Sequence, residues 1–324
     1  MKRKKIDMAL VVGAQKLHSG RKFMYNEIDK THKKYFGKDG FYKKQFLHKR
    51  NCPLCHSKQK NILFKKRGGL YNKCINCNLV YLSPVFKDVE LSKYYQNLHD
   101  AQSKVTKNES YFYRNIYTEG LRAIEKFKKK GELLDIGCSS GFFLDIAKER
   151  GWNTFGIEPG KKEAKLAKKN HIIFDQDIKN LNKNIKFDVI TMWDVIEHIK
   201  DGNKALQDMR KKLNKNGLIF FQTPNIYSLA ARIMQEKCNV FDGIEHVNLY
   251  DKDTMEILAK RNKFKIVYYK TVISEIPVTA NYLDYQNPYF GNNKNNKKIF
   301  NIIDEKTLHN NFLGYKMQTV LKKL

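Results

Sequence analysis

Four of the six cysteines in this 324-residue sequence stand as two C-x-x-C pairs, Cys52/Cys55 and Cys74/Cys77, with 18 residues between the pairs. Each pair can form a tight knuckle that turns two sulfurs toward one ion, and this spacing predicts a four-thiolate zinc ribbon over residues 51–86. Four thiolates close a tetrahedral shell, so the Zn2+ is expected to be structural and His56 a bystander. A segment of about 35 residues cannot bury a self-sufficient core. A structural zinc offsets that deficit. Ile62, Leu63 and Phe64, then Leu70 and Tyr71, are expected to form the ribbon's short strands.

The second group lies in residues 132–141, ELLDIGCSSG. Leu133, Leu134 and Ile136 read as a buried strand, followed by a small-residue turn and a helix from Phe142. A strand feeding such a turn is where an α/β sheet brings backbone close to a ligand. Gly137 and Gly141 permit positive φ and remove Cβ atoms from that approach. Asp135 is expected to aim its carboxylate into the same crevice. The glycines are spaced G-x-x-x-G, with Ser139 and Phe142 where a dinucleotide fold has glycine. Glu158 follows Asp135 by 23 residues at the end of the next strand. A carboxylate there can accept both hydroxyls of an adenosine ribose. The missing G-K-[ST] argues against a nucleoside triphosphate. Cys138 has no histidine beside it in sequence and reads as a small turn residue rather than a nucleophile.

Asp135-Ile-Gly-Cys-Ser-Ser-Gly141, Glu158, the DQDI segment and FDVITMWDVIEHI together resemble the class I S-adenosylmethionine-dependent methyltransferases over about residues 126–272. The resemblance implies an α/β, Rossmann-like seven-stranded methyltransferase sheet, mostly parallel with the last strand antiparallel, beside the N-terminal zinc ribbon. It implies S-adenosyl-L-methionine as cofactor. Gly137, Cys138 and Gly141 would line its methionine and ribose, and Glu158 would hold the ribose. Asp177 with Ile178 would flank the adenine, and Asp194 would close the pocket. Many family members have glycine where this chain has Ser139, which leaves the backbone path there open.

Methyl transfer from a sulfonium needs in-line positioning above all. An alcohol or carbon acid acceptor also needs a base. The candidates are His198, after Asp194, and Glu245 with His246 in FDGIEHVNLY; the alternative for each histidine is a hydrogen-bonded structural role. The ribbon-plus-methyltransferase layout, with CNLVYLSP after the last cysteine, resembles enzymes acting on sugars and surface glycans. FDGIEH looks like a shortened form of the FD…EH segment of sugar C-methyltransferases. The IEH at 196–198 resembles quinone O-methyltransferases, where it can contact a metal. The expected acceptor is a hydroxyl, or as second choice a carbon, of a sugar, glycan precursor or similar small molecule. The alternatives are an RNA methyltransferase reading its substrate with the ribbon and basic arm, a quinone-type O-methyltransferase, and a ribbon scaffold that has lost activity.

The elements that must position these residues follow from periodicity. From residue 132 strands alternate with amphipathic helices, which predicts a sheet covered on both faces. Residues 1–50 read as a basic extension, 51–86 as the ribbon, 87–125 as a helical linker and 126–324 as the methyltransferase domain. Within that domain 274–312 form an irregular substrate-side insertion, where the aromatics of 281–291 could stack on a sugar ring. Leu121, Ile124 and Phe127 make a helical stripe, with Gly131 ending that helix and Gly217 a later one. The net charge of +29 rests on 62 basic residues, of which 10 are arginine. A chain selected to grip phosphate would use more of the arginine fork, so nucleic acid is a possible but not favoured partner. Residues 1–50 hold 15 Lys/Arg against 4 Asp/Glu. Their aromatics are expected to pack on the body. No apolar run reaches the roughly 18 residues of a membrane span. The C-x-x-C pairs suit metal in a reducing compartment, so a cytoplasmic location is expected.

Overall fold

The computed structural model describes residue 30 and residues 32–93, 110–276, 278–279, 282 and 303–324. Of the aromatics proposed to stack on a sugar, Tyr282 is described and packs, partly buried, against an apolar cluster with Val278; the others, all of the first 29 residues and the NNKNNKK segment lie outside the described residues. At the N-terminal end, strand β1 (Leu47–His48) pairs antiparallel with β5 (Val85–Phe86). Tyr35 and Tyr42 are buried edge-on against Phe86, so this part of the extension does pack its aromatics on the body.

The ribbon is the hairpin β2 (Lys60–Lys66) and β3 (Gly69–Cys74) with β4 (Val80–Leu82) beside it. Its sheet has a fourth strand, β11 (Asn248–Leu249), which pairs with β4 and comes from far along the chain. The two C-x-x-C turns fold alike. The residue after the second cysteine, His56 or Asn78, takes a left-handed φ of 65° or 62° and the turn closes with an N–H to the carbonyl of the first cysteine's residue. Histidine and asparagine tolerate that region better than most residues. His56 therefore has a backbone reason to be where it is.

The main sheet holds β6 (Glu132–Ile136), β7 (Asn153–Ile157), β8 (Ile172–Phe174), β9 (Phe187–Trp193), β10 (Leu213–Pro224), β12 (Phe264–Val272) and β13 (Lys316–Lys323). Their order is β12-β13-β10-β9-β6-β7-β8, with β13 antiparallel to both neighbours and the remaining pairs parallel. The mostly parallel sheet with its antiparallel last strand is the expected architecture. Central strand β9 is buried along both faces apart from the half-buried Asp188, as a strand covered by helices on each side must be. Helix α1 (Ser110–Glu125) and α2 (Phe142–Glu149) cover one face, with Phe143, Leu144, Ile146 and Ala147 turned inward. The other face receives α4 (Gly202–Lys212) and α6 (Lys252–Arg261), reached after the short α3 (Lys161–Ala167) and α5 (Leu229–Met234). Asp201 and Asp251 cap α4 and α6 by accepting the N–H of Lys204 and Thr254. Among the described residues no helix is long and apolar enough to cross a membrane.

Three expectations need correction. Helix α1 stops at Glu125, so Leu121 and Ile124 are buried but Phe127 is 44% exposed. Gly131 does not cap that helix; a Cβ there would stand 2.1 Å from Asp188 Oδ2, which accepts the N–H of Glu132. Gly217 does not end α4 either. The helix closes at Lys212 and β10 begins at once, with Gly217 inside it at a break in the register to β9.

Candidate active site

The turn after β6 is built from left-handed residues, with φ of 77° at Gly137, 48° at Ser139 and 87° at Gly141. A Cβ on Gly137 would meet Val195 Cγ2 at 2.7 Å, so this glycine answers to a neighbouring loop as well as to any ligand. Glu158, at the end of β7, accepts the N–H of Ser139 at 2.8 Å through Oε2 and that of Gly160 at 2.7 Å through Oε1. The second strand's carboxylate is thus locked onto the first strand's turn, across the edge where an adenosine ribose is expected.

Asp135 departs from the expectation. It is 2% exposed, and its Oδ1 accepts from Thr191 Oγ1 at 2.6 Å on the adjacent strand β9. Burial, reinforced by the charge of Glu158, pushes its carboxyl up to about 8. The Cys138 sulfur is turned onto β7. It packs over Gly156, where a Cβ would stand 2.5 Å from it, and burial pushes the thiol up. A buried protonated thiol is a turn residue with a core contact, not a nucleophile. Asp177 and Ile178 follow β8 at a short 3-10 turn. Asp177 lies 3.5 Å from Lys179 with its side chain 71% exposed, and Ile178 packs on the core.

Asp194 takes a left-handed φ of 56° just after β9. Its Oδ2 is ion-paired with Lys316 and accepts from Gln222 Nε2 at 3.3 Å, while its buried Oδ1 has no hydrogen-bond partner among the described residues. Lys316 opens the antiparallel last strand, so the chain delivers an ammonium to the carboxyl edge of the parallel strands. Burial opposes that charge, but Asp194 outweighs it and raises the lysine's pKa. Strand direction alone could have flagged this residue; sequence motifs did not.

Glu197, His198 and His246 come together from two segments. A carboxylate oxygen of Glu197 and a ring nitrogen of each histidine lie within 4.8 Å of one another, and the imidazole rings meet edge-on at 5.1 Å. Glu197 is fully buried; Oε2 accepts from Thr223 Oγ1 at 2.9 Å and Oε1 has no hydrogen-bond partner among the described residues. Burial and the nearby Asp194 push it up to about 7. Burial and the His246 ring hold His198 down to about 3, neutral throughout the ordinary pH range. His246 Nδ1 lies 2.8 Å from the carbonyl oxygen of Val240. A carbonyl only accepts, so Nδ1 carries the proton and Nε2 keeps the lone pair a base needs. Burial works against a charge on His246, yet Asp242 and Glu197 outweigh it and raise its pKa. Glu245 is pushed up to about 8 by burial and by Asp242. Asp242 accepts the N–H groups of Ile244, Glu245 and His246 at 2.9, 3.0 and 3.1 Å, folding the segment into a tight loop.

The four cysteine sulfurs likewise lie within 4.8 Å of one another, with Cys52 Sγ 3.5 Å from Cys77 Sγ and Cys55 Sγ 3.4 Å from Cys74 Sγ. Thiolates at the usual Zn–S distance of a tetrahedral site stand about 3.8 Å apart, so only small shifts separate this cluster from a zinc shell.

A family model described as a methyltransferase domain matches residues 108–269. The ubiquinone biosynthesis O-methyltransferase of Pelagibacter ubique is 33% identical over 112 residues, 32% of this chain and 47% of that protein. Its counterpart in Actinobacillus pleuropneumoniae serotype 7 is 31% identical over 134 residues, 37% of this chain and 54% of that protein. The chain spans about half the length of the curated relatives it matches. Among solved structures, a methyltransferase from Archaeoglobus fulgidus is similar at 18% identity and a TM-score of 0.45, over 65% of this chain and 94% of its own. A possible histamine N-methyltransferase from Thermotoga maritima is similar at 18% identity and a TM-score of 0.46, over 68% and 96%. With half its length matched by the family model and a seven-stranded sheet in this order, this chain belongs to the methyltransferase-domain family and carries the class I fold of its S-adenosylmethionine-dependent members.

Proposed function

We propose that this chain transfers the methyl group of S-adenosylmethionine to a hydroxyl oxygen of a small molecule, with His246 as the general base. The carrying observation is the His246 ring, fixed through Nδ1 to the Val240 carbonyl and set beside Glu197 and His198. The cofactor residues fit an adenosine-bearing ligand: Glu158 faces the turn after β6, and Asp194 Oδ1 is a buried acceptor with no donor among the described residues. Bound S-adenosylmethionine supplies a methyl group already activated on a sulfonium. The protein's part is to align the acceptor oxygen and take its proton. His246 Nε2 receives that proton, and the carboxylates of Asp242 and Glu197 balance the imidazolium. The relatives named as O-methyltransferases support oxygen over carbon. The four thiols are assigned a structural Zn2+, and free thiols of this kind suit a reducing, cytoplasmic setting.

The test is transfer of label from methyl-tritiated S-adenosylmethionine to a panel of catechols, sugar nucleotides and RNA. Label in a catechol or sugar ether is the expected outcome, with His246→Gln reducing the rate about 100-fold or more while cofactor binding persists. Failure of the wild type to bind S-adenosylmethionine, or label found only on carbon or RNA, would overturn the assignment.

A further inference from the structure

The loop that carries His246 is held from outside the methyltransferase sheet. Phe241 lies edge-on to Phe64 and Tyr71 of the ribbon hairpin at 4.7 and 5.0 Å. The Tyr71 hydroxyl accepts the N–H of Asp242 at 3.3 Å and of Gly243 at 3.2 Å, and donates to the carbonyl oxygen of His246 at 3.2 Å. One donor and two acceptor sites are all a phenol has, so every one is used on this loop. Arg67 Nη1 donates to the carbonyl of Asp242 at 3.1 Å. Gly69 and Gly243 touch back to back: a Cβ on the first would stand 2.1 Å from the Gly243 carbonyl oxygen. On the far side Ile244 packs in one cluster with Tyr35, Tyr42 and Phe86. Directly after the loop, β11 joins the ribbon's own sheet.

We propose that Tyr71 is a positioning residue for methyl transfer: the ribbon hairpin, drawn together by its four thiolates, sets the His246 loop through the Tyr71 hydroxyl, so the metal state of the ribbon decides whether the acceptor meets an oriented base. This rests on the reading of His246 as the base. Tyr71 stands three residues before Cys74 on the same strand, so loss of the metal shell reaches it directly. Burial and the Asp242 charge keep the phenol protonated, and hence a donor to the His246 carbonyl. Among the described residues, the hydrogen bonds of Tyr71 and Arg67 given above go to the His246 loop and not to the turn after β6 or Glu158, so cofactor binding is expected to be independent of them.

The experiment compares the full-length protein as purified, Tyr71→Phe, the milder Arg67→Met, and wild type stripped with a zinc chelator and then reloaded. S-adenosylmethionine affinity by calorimetry, amide hydrogen exchange and the ring 15N spectrum of His246 are read on each. All forms should bind the cofactor within about twofold of wild type. In Tyr71→Phe and in the stripped protein, exchange at residues 242–246 should rise by about tenfold or more while residues 133–136 keep their protection. The His246 ring should move from the Nδ1–H form to a mixture of tautomers, and zinc should restore the stripped sample. Arg67→Met should give the same pattern at smaller size. Unchanged exchange and tautomer in Tyr71→Phe, or an equal rise in the main sheet, would overturn the proposal. A wild type that fails to bind S-adenosylmethionine would instead overturn the methyltransferase reading beneath it.

Discussion

The Tyr71 hydroxyl stands 3.2 Å from the carbonyl oxygen of His246, across 175 residues of sequence. That contact joins a small four-cysteine module to the loop of a large α/β domain, and it has a backbone counterpart in β11, which belongs to the ribbon's sheet. Thirty-odd residues of ribbon bury little by themselves. Here they gain a fourth strand, and the His246 loop gains walls that the methyltransferase sheet does not provide.

Gly243 should be intolerant of a side chain for two separable reasons. Its φ is +88°, and a Cβ would stand 2.3 Å from the Lys66 carbonyl oxygen. Gly151 has a φ of +87° but its nearest neighbour is the flexible end of Lys130 at 3.4 Å. Gly151→Ala should therefore cost only the left-handed strain, about 1–2 kcal/mol. Gly243→Ala should add an overpacking cost of about 1–3 kcal/mol. Urea unfolding of the two variants measures the difference, and equal losses would mean that the hairpin does not press on the loop.

Glu158→Gln preserves shape while removing a charge. The carboxylate accepts two backbone N–H groups, one on each oxygen. An amide can satisfy only one of them and turns a donor toward the other. A hydrogen bond to a charged group contributes about 1.5–3 kcal/mol, so S-adenosylmethionine should bind roughly 10- to 150-fold more weakly. Calorimetry reads this directly, and unchanged affinity would remove Glu158 from the cofactor site.

Which features were legible depends on how local their cause is. The C-x-x-C knuckles, the strand-turn-helix at Gly137–Gly141 and the alternation after residue 132 each follow from neighbours in sequence, and the structure contains them. Asp135 turns inward rather than into the crevice because strand-to-strand packing decides its place, with Thr191 on the neighbouring strand; Cys138 is the small turn residue expected, and its sulfur finds Gly156 on β7. Gly131 and Gly217 escape local reading for the same reason, since a glycine after a helix looks like a terminator until Asp188 or a neighbouring strand is placed against it. The roles of Tyr71, Thr223 and Lys316 depend on contacts across 175, 26 and 122 residues, beyond any local pattern.

Arg50 should be the ribbon's main polar anchor. Its guanidinium donates to the carbonyls of Leu82 at 2.9 Å, Lys200 at 2.8 Å and Val247 at 2.5 Å, and to Asn248 Oδ1 at 2.8 Å. It thereby clamps β4, the segment after β9 and the start of β11 in one contact. Arg50→Met keeps the aliphatic bulk and leaves several acceptors without a donor, each costing about 1–3 kcal/mol. Differential scanning calorimetry should show one cooperative transition for wild type and an earlier, separate one in the variant. A single transition at the wild-type temperature would show that the clamp adds nothing.

Asp135 predicts an unusual pH dependence. Burial raises its folded pKa from the ordinary 3.8 to about 8. Between those values the folded state holds a proton that the unfolded state has released. Its contribution is therefore complete below about pH 4 and declines as pH rises, by about 1.4 kcal/mol per unit, until it levels above pH 8. Asp135→Asn keeps an oxygen for the 2.6 Å hydrogen bond from Thr191 and cannot ionise. The raised carboxyls of Glu197 and Glu245 act in the same direction but are common to both proteins, so they cancel in the comparison. Urea midpoints of the cofactor-free proteins at pH 5, 6, 7 and 8 should give a difference that grows steadily in favour of the asparagine variant. A difference that stays flat with pH would place an ionised Asp135 in the folded protein, open to the crevice rather than closed against β9.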